Sequence, residues 1–253
     1  MSEKAILKSL FIPNKITYTL PIDKNDMVLI ISPHPDDETL GCGGTIIKMC
    51  SGEINVAVVM LTDGNGGGRT QNIGSIRKKE FVKARDVLGY KFYSMLDYPD
   101  GKLQSFKTEL SKQIHELILE KAPKLVLIPY LLDCVVDHQT ANIVLSQVLR
   151  NVDATNMIIG MYEIWTPIIN PNCYLNITNE YQKKSMAMKC YQTQENYYGI
   201  IDKANALSTF RAKLSMRRKI KHMECFKLLG AKEYVRLVEE WNKFQIQGGG
   251  CEI

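Results

Sequence analysis

Apolar residues in the first two thirds of the chain come in short unbroken runs, separated by stretches with a three-to-four-residue rhythm. Met27-Val28-Leu29-Ile30-Ile31 and Val56-Ala57-Val58-Val59-Met60-Leu61 are continuous and β-rich, as expected of strands covered on both faces. Phe92-Tyr93-Ser94-Met95-Leu96, Lys124-Leu125-Val126-Leu127-Ile128-Pro129 and Met157–Trp165 read as further strands. Between them, Ile76–Leu88 has helical periodicity and is closed by Gly89, while Phe106–Lys121 and a segment from about His138 to Leu149 also read as helices. This alternation predicts an α/β fold: one doubly wound, Rossmann-like, mainly parallel sheet with helices on both faces. The C-terminal part reads as mostly helical, with one strand near Cys173–Ile177 and a flexible tail over about 248–253. With no Pro/Ser-rich linker and no repeat, residues 1–253 are expected to form one domain.

The polar residues that interrupt this pattern gather where the strands end. In open α/β sheets the ligand sits outside the carboxyl ends of the strands, which here means the loops Ser32–Glu38, Thr62–Thr70, Asp97–Lys102 and Tyr130–His138. The first reads Pro33-His34-Pro35-Asp36-Asp37-Glu38. A turn or a helix cap needs one Asp or Ser, not a histidine with three carboxylates. Imidazole nitrogen with carboxylate oxygen is a normal ligand set for Zn²⁺ and related ions. His138, at a helix start in Asp137-His138-Gln139, completes a three-ligand set with an open position, the layout of a catalytic zinc site. Gly64–Gly68 reads as a flexible wall from which Arg69 can reach a ligand, since no Lys-Ser/Thr follows as a P-loop requires. Gly41-Cys42-Gly43-Gly44 has Ile46 where a dinucleotide fingerprint needs Gly.

His34-Pro35-Asp36-Asp37-Glu38 followed by Gly41-Cys42-Gly43-Gly44 resembles the signature of the LmbE-like/PIG-L family of zinc-dependent deacetylases, which act mostly on N-acetylated amino sugars. Arg77-Lys78-Lys79-Glu80, Tyr98-Pro99-Asp100-Gly101, Tyr162–Pro167, Lys184, Tyr191–Gln194, Arg211 and Glu224-Cys225-Phe226 resemble later landmarks of the family, in order. The resemblance implies His34, Asp37 and His138 as zinc ligands, and Asp36 as the general base for a zinc-bound water that attacks the amide. It implies Arg77 and Asp100 near the sugar, and Glu38 at the helix N-terminus or behind the ligands. The same ligands accept Fe²⁺, Co²⁺ or Mn²⁺. The substrate so implied is a small amino sugar or an amino-sugar-containing intermediate.

One position departs from the family pattern. The last-ligand motif usually carries a second histidine three residues before the ligand, and here that residue is Val135, within Asp133-Cys134-Val135-Val136-Asp137-His138. Valine neither donates a proton nor stabilises charge. Asp133, Asp137 through a water, or Tyr130 could substitute, or Asp36 could do both base and acid work. The competing expectation is a degenerate member that binds metal and sugar without efficient hydrolysis.

Composition narrows the setting. The 253 residues are 45% hydrophobic and 23% charged with a formal net charge of +5, an ordinary globular balance that does not argue for nucleic acid. The basic run Arg211–Lys221 reads as a solvated helix face, His115 and His222 as surface or structural residues in helical segments, and Trp165 and Trp241 as core or rim aromatics. Seven scattered cysteines without a C-x-x-C pair read as reduced thiols. No apolar run approaches the ~20 residues of a membrane span, and the N-terminus is a poor signal peptide. The expected protein is cytoplasmic, and a homo-oligomer is compatible with this pattern.

Overall fold

Every strand expected from the apolar runs joins one sheet in the computed structural model, which describes residues 16–247. The tail expected at about 248–253 lies outside the described residues. The strands are β1 (Met27–Ser32), β2 (Asn55–Thr62), β3 (Phe92–Tyr98), β4 (Leu125–Pro129), β5 (Ile158–Tyr162), β6 (Cys173–Asn176) and β7 (Met223–Gly230), in the order β3-β2-β1-β4-β5-β7-β6. β1 to β5 run parallel, and β7 pairs antiparallel with both β5 and β6. The helices are α1 (Asp37–Ser51), α2 (Ile73–Leu88), α3 (Lys107–Lys121), α4 (Val136–Leu149), α5 (Tyr181–Met188), α6 (Gln192–Tyr198), α7 (Ile200–Leu214) and α8 (Ala231–Gln247).

Both faces of the sheet are covered, which is why the central strands are continuously apolar. Leu29 and Ile31 of β1 pack into a core shared with α3, α4 and α8. Val28 and Ile30, pointing the opposite way, pack with α1, α2 and α5. The strand order reverses at β1 and β4, which pair in register over Val28–Ile30. This switch point brings the loop after β1 and the loop after β4 side by side.

The C-terminal third differs from the expected helical run. Met223–Gly230 is a nearly fully buried strand inserted between β5 and β6. Glu224 and Lys227 break its apolar run, yet both are buried because Lys184 pairs with Glu224 and the Asn170 carbonyl accepts from Lys227. The basic run is not one solvated helix face either. α7 ends at Leu214, and Arg211 is buried against Glu163 and the Ile168 carbonyl oxygen. His222, expected in a helix, stands just before β7. The six cysteines among the described residues are free thiols. No helix among those residues is long and apolar enough to cross a membrane.

α1 carries the first of the polar loops and is broken at Cys42, whose φ of −141° is not helical. The break releases backbone groups in a buried place, where an unpaired group is costly. Glu224 accepts from the Gly44 and Thr45 N–H groups at 2.8 Å each, and Lys184 Nζ donates to the Leu40 carbonyl at 2.7 Å. Lys184 and Glu224 are 2.7 Å apart, with side chains 2% and 3% exposed. Gly41 sits where the Tyr162 ring presses on the helix, and a Cβ there would lie 2.7 Å from the ring Cε2. Replacing Lys184 by Met keeps the stem but strands the Glu224 charge, so unfolding in urea is expected to show a loss of about 3–5 kcal/mol. A loss below 1 kcal/mol on that scale would mean that Glu224 is satisfied without its partner.

Candidate metal centre

His34 leaves the end of β1 in a loop whose backbone is held from both sides. Thr62 donates its N–H and Oγ1 to the Pro33 carbonyl at 3.0 and 2.9 Å, and Ser32 Oγ donates to the His34 carbonyl at 2.8 Å. The His34 N–H donates to Asp37 Oδ2 at 2.8 Å, fixing the carboxylate in the first turn of α1. His138, fully buried, lies in the first turn of α4, which starts at Val136 and thus ahead of the expected boundary. Although 104 positions apart in sequence, the two imidazoles meet because β1 and β4 are neighbours.

Three atoms converge there. His34 Nδ1 lies 3.2 Å from His138 Nε2, Asp37 Oδ2 lies 3.3 Å from His34 Nδ1, and Asp37 Oδ2 lies 3.2 Å from His138 Nε2. Metal bonds of about 2.0–2.2 Å to nitrogen and oxygen give a tetrahedron with edges of roughly 3.3–3.6 Å. The observed triangle matches one face of that tetrahedron, so these residues fit a divalent cation with one position left open. The charges are arranged for one as well. Burial lowers His138, but Asp37 and then Asp133 outweigh it and push the ring up to about 9. Burial also lowers His34, and Asp100, Asp137 and Asp37 carry it well above its ordinary value. Burial raises Asp37, but His138 and His34 hold its carboxyl well below the usual range.

A second layer orients both rings. His138 Nδ1 faces Asp133 Oδ1 at 3.2 Å, and His34 Nε2 faces Asp100 Oδ1 at 3.1 Å and Asp137 Oδ2 at 3.2 Å. Such carboxylates set the tautomer that presents a bare nitrogen to a metal. Asp133 also accepts from the Val135, Trp165 and Thr166 N–H groups, and Asp137 from Gly101 and Leu103. His34, Asp100 and Asp137 together form another potential metal group. It would use the other nitrogen of the same ring, and a neutral imidazole has only one bare nitrogen. The two groups therefore exclude one another, and the backbone donors to Asp137 and Asp100 suit a supporting layer.

Asp36 occupies the N-cap position of α1, but its side chain makes no capping bond and lines the cleft instead. Its φ of +132° is a conformation that costs about 1–3 kcal/mol for a non-glycine residue. Burial pushes its carboxyl up to about 7, opposed by Arg77, whose Nη2 lies 3.4 Å away. A carboxylate in that range can take a proton near neutral pH. Arg77 donates through its two Nη atoms to Gly64 O, Pro35 O, Asp36 and Asp100, the last at 3.3 Å, while its buried Nε finds no acceptor among the described residues. A Cβ on Gly67 would stand 2.7 Å from Arg77 Cζ, so the glycine wall lets the guanidinium lie flat against it. Asp100 is raised by burial but held low by His34 and Arg77.

The cleft measures about 380 Å³. His34, Asp36, Asp37, Arg77 and Asp100 all line it, whereas His138 lies beneath. Glu38 faces away into the core, accepting from Ser32, Thr39 and Tyr191 rather than touching the cleft. Arg69 is exposed and Tyr130 is buried, and neither lines the cleft. The position of the missing histidine is a bare Val135 wall, since Asp133 and Asp137 are committed to His138 and His34. Sequence reasoning missed Tyr198 and Lys203, named Gln194 only within a family landmark without a role, and took Trp165 for a core or rim aromatic; all four line the cleft.

Residues 29–149 match the family model described as PIG-L: GlcNAc-PI de-N-acetylase. The chain is 33% identical over 123 residues to diacetylchitobiose deacetylase of Thermococcus kodakarensis, which is 46% of each chain. It is 34% identical over 110 residues to the probable N-acetyl-alpha-D-glucosaminyl L-malate deacetylase 2 of Bacillus anthracis, 40% of this chain and 48% of that one. The matches thus span about half the length of these curated relatives. In fold, the chain superposes on N,N'-diacetylchitobiose deacetylase from Pyrococcus horikoshii with a TM-score of 0.74 and 22% identity, over 92% of this chain and 95% of the other.

Proposed function

We propose that this chain, whose residues 29–149 belong to the PIG-L: GlcNAc-PI de-N-acetylase family, is a metal-dependent hydrolase that removes the N-acetyl group from an amino sugar. The observation that carries this reading is the donor triangle of His34, Asp37 and His138 with the uncoordinated Asp36 carboxylate beside it in one cleft. Two curated relatives, one named diacetylchitobiose deacetylase and the other probable N-acetyl-alpha-D-glucosaminyl L-malate deacetylase 2, support the substrate class.

His34 Nδ1, Asp37 Oδ2 and His138 Nε2 would hold the ion, for which the nitrogen and oxygen donors suit zinc. A divalent cation held there supplies the positive charge that acidifies a water and polarises an amide carbonyl. Asp36 takes the proton of the attacking water, and the same carboxyl, once protonated, faces the departing amine. Arg77 keeps Asp36 in place and balances its charge against Asp100. Asp100 and Arg77 border the space where the sugar hydroxyls would lie.

An acetate-release assay on a panel of N-acetylated amino sugars tests this. Release is expected, is expected to disappear on chelation, and is expected to return with added Zn²⁺. Release that survives complete chelation overturns the metal-dependent reading. Val135 favours a second reading, a protein that binds metal and sugar without efficient hydrolysis. Stoichiometric metal with no release from any sugar would select that one.

A further inference from the structure

The cleft holds two charged side chains that are not acidic or metal-facing, and they differ in one respect. Arg77 is buried, and both of its Nη atoms are turned onto protein groups, two carbonyls and two carboxylates. Lys203, on α7 at the opposite wall, is exposed, and its Nζ stands 5.4 Å over the Trp165 ring. Asp202 precedes Lys203 on α7, and three further carboxylates of this region have partners elsewhere. Glu163 is held by Arg211 and the Ile168 N–H, Glu224 by Lys184, and Glu195 by the Ile201 N–H.

The wall that carries Lys203 is tied to the metal centre. The Trp165 N–H donates to Asp133 Oδ2 at 3.0 Å, and the other oxygen of that carboxylate faces His138. Arg211 binds Glu163, two residues before Trp165, and so fastens α7 to the same segment. The remaining side chains of this wall, Cys134 and Val135, bring no charge. A substrate seated over Asp36 and Asp37 would reach an aromatic face with the exposed Lys203 ammonium above it.

We infer that Trp165 and Lys203 form a subsite for an anionic group, a carboxylate or a phosphate, carried by the substituent on the amino sugar. This rests on the deacetylase reading and names its substrate class: an acidic N-acetylated glycoside rather than a neutral one. Lys203 acts as a specificity residue. The charge-assisted contact it offers is made equally in ground and transition states, so it changes KM and leaves kcat alone.

The test compares three substrates: N-acetylglucosamine 1-phosphate, an O-glycoside of N-acetylglucosamine with a hydroxy acid, and the neutral methyl glycoside. Each is assayed by acetate release with the wild-type chain, Lys203→Met and Lys203→Arg. The corresponding deacetylated amines are titrated calorimetrically onto the same three proteins. Lys203→Met is expected to raise KM for at least one acidic substrate about tenfold or more, with kcat and the neutral substrate unchanged and Lys203→Arg close to wild type. The acid that responds identifies the group. Equal KM values for all three substrates in wild type and Lys203→Met, or a fall in kcat on the neutral one, overturns the subsite. If the wild type releases acetate from none, amine binding decides separately. Lys203-dependent binding of an acidic amine sustains the subsite while the deacetylase reading fails, and its absence overturns the subsite too.

Discussion

Replacing Asp36 by Asn is expected to leave one bound divalent ion per chain and to lower acetate release by about 10²–10⁴-fold. The side chain is not part of the donor triangle, so the metal has no reason to leave. Asparagine keeps the volume, tolerates a positive φ better than most residues, and can still accept from Arg77, but it cannot take a proton. Metal content by atomic absorption and initial rates of acetate release read the two halves of the expectation. Wild-type turnover in this variant would remove Asp36 as the base. Loss of the metal would place Asp36 among the ligands.

His138→Ala is expected to remove metal and turnover together. It deletes one of three donors and leaves the fully buried Asp133 without the ring it faces. Asp133→Asn keeps all three donors and changes only the outer layer, so its metal affinity should fall by the more modest factor of about 10–100. Equilibrium dialysis against Zn²⁺ orders the two variants. If Asp133→Asn is the weaker binder, or if His138→Ala retains stoichiometric zinc, the donor set is wrong.

How much of this was legible beforehand differs from residue to residue. The apolar runs at Met27–Ile31 and Val56–Leu61 identify β1 and β2 because a strand covered on both faces has no polar positions to confuse the pattern. β7 escaped notice because Glu224 and Lys227 interrupt it. Their partners, Lys184 on α5 and the Asn170 carbonyl, come from distant parts of the chain and exist only in the fold. Arg211 misled in the same way, since a buried ion pair looks like surface charge until its carboxylate is located.

His34-Pro35-Asp36-Asp37-Glu38 announces metal chemistry by its local density of ligand types, and the loops at the strand ends were readable from the strand–helix alternation. Those are short-range properties, written into neighbouring positions. The division of labour among these residues is not. Whether a carboxylate sits in the donor triangle like Asp37, beside it like Asp36, or behind it like Asp133 and Asp137 depends on where β1 and β4 bring their loops together. The subsite of Trp165 and Lys203 depends on α7 folding back over the end of β5. Periodicity and local composition follow from the backbone geometry of each element, so the sequence alone determined the layered fold and the place of its chemistry. Only the tertiary structure decided each group's role, because distance, burial and partner choice between segments a hundred residues apart are set by sheet order and packing.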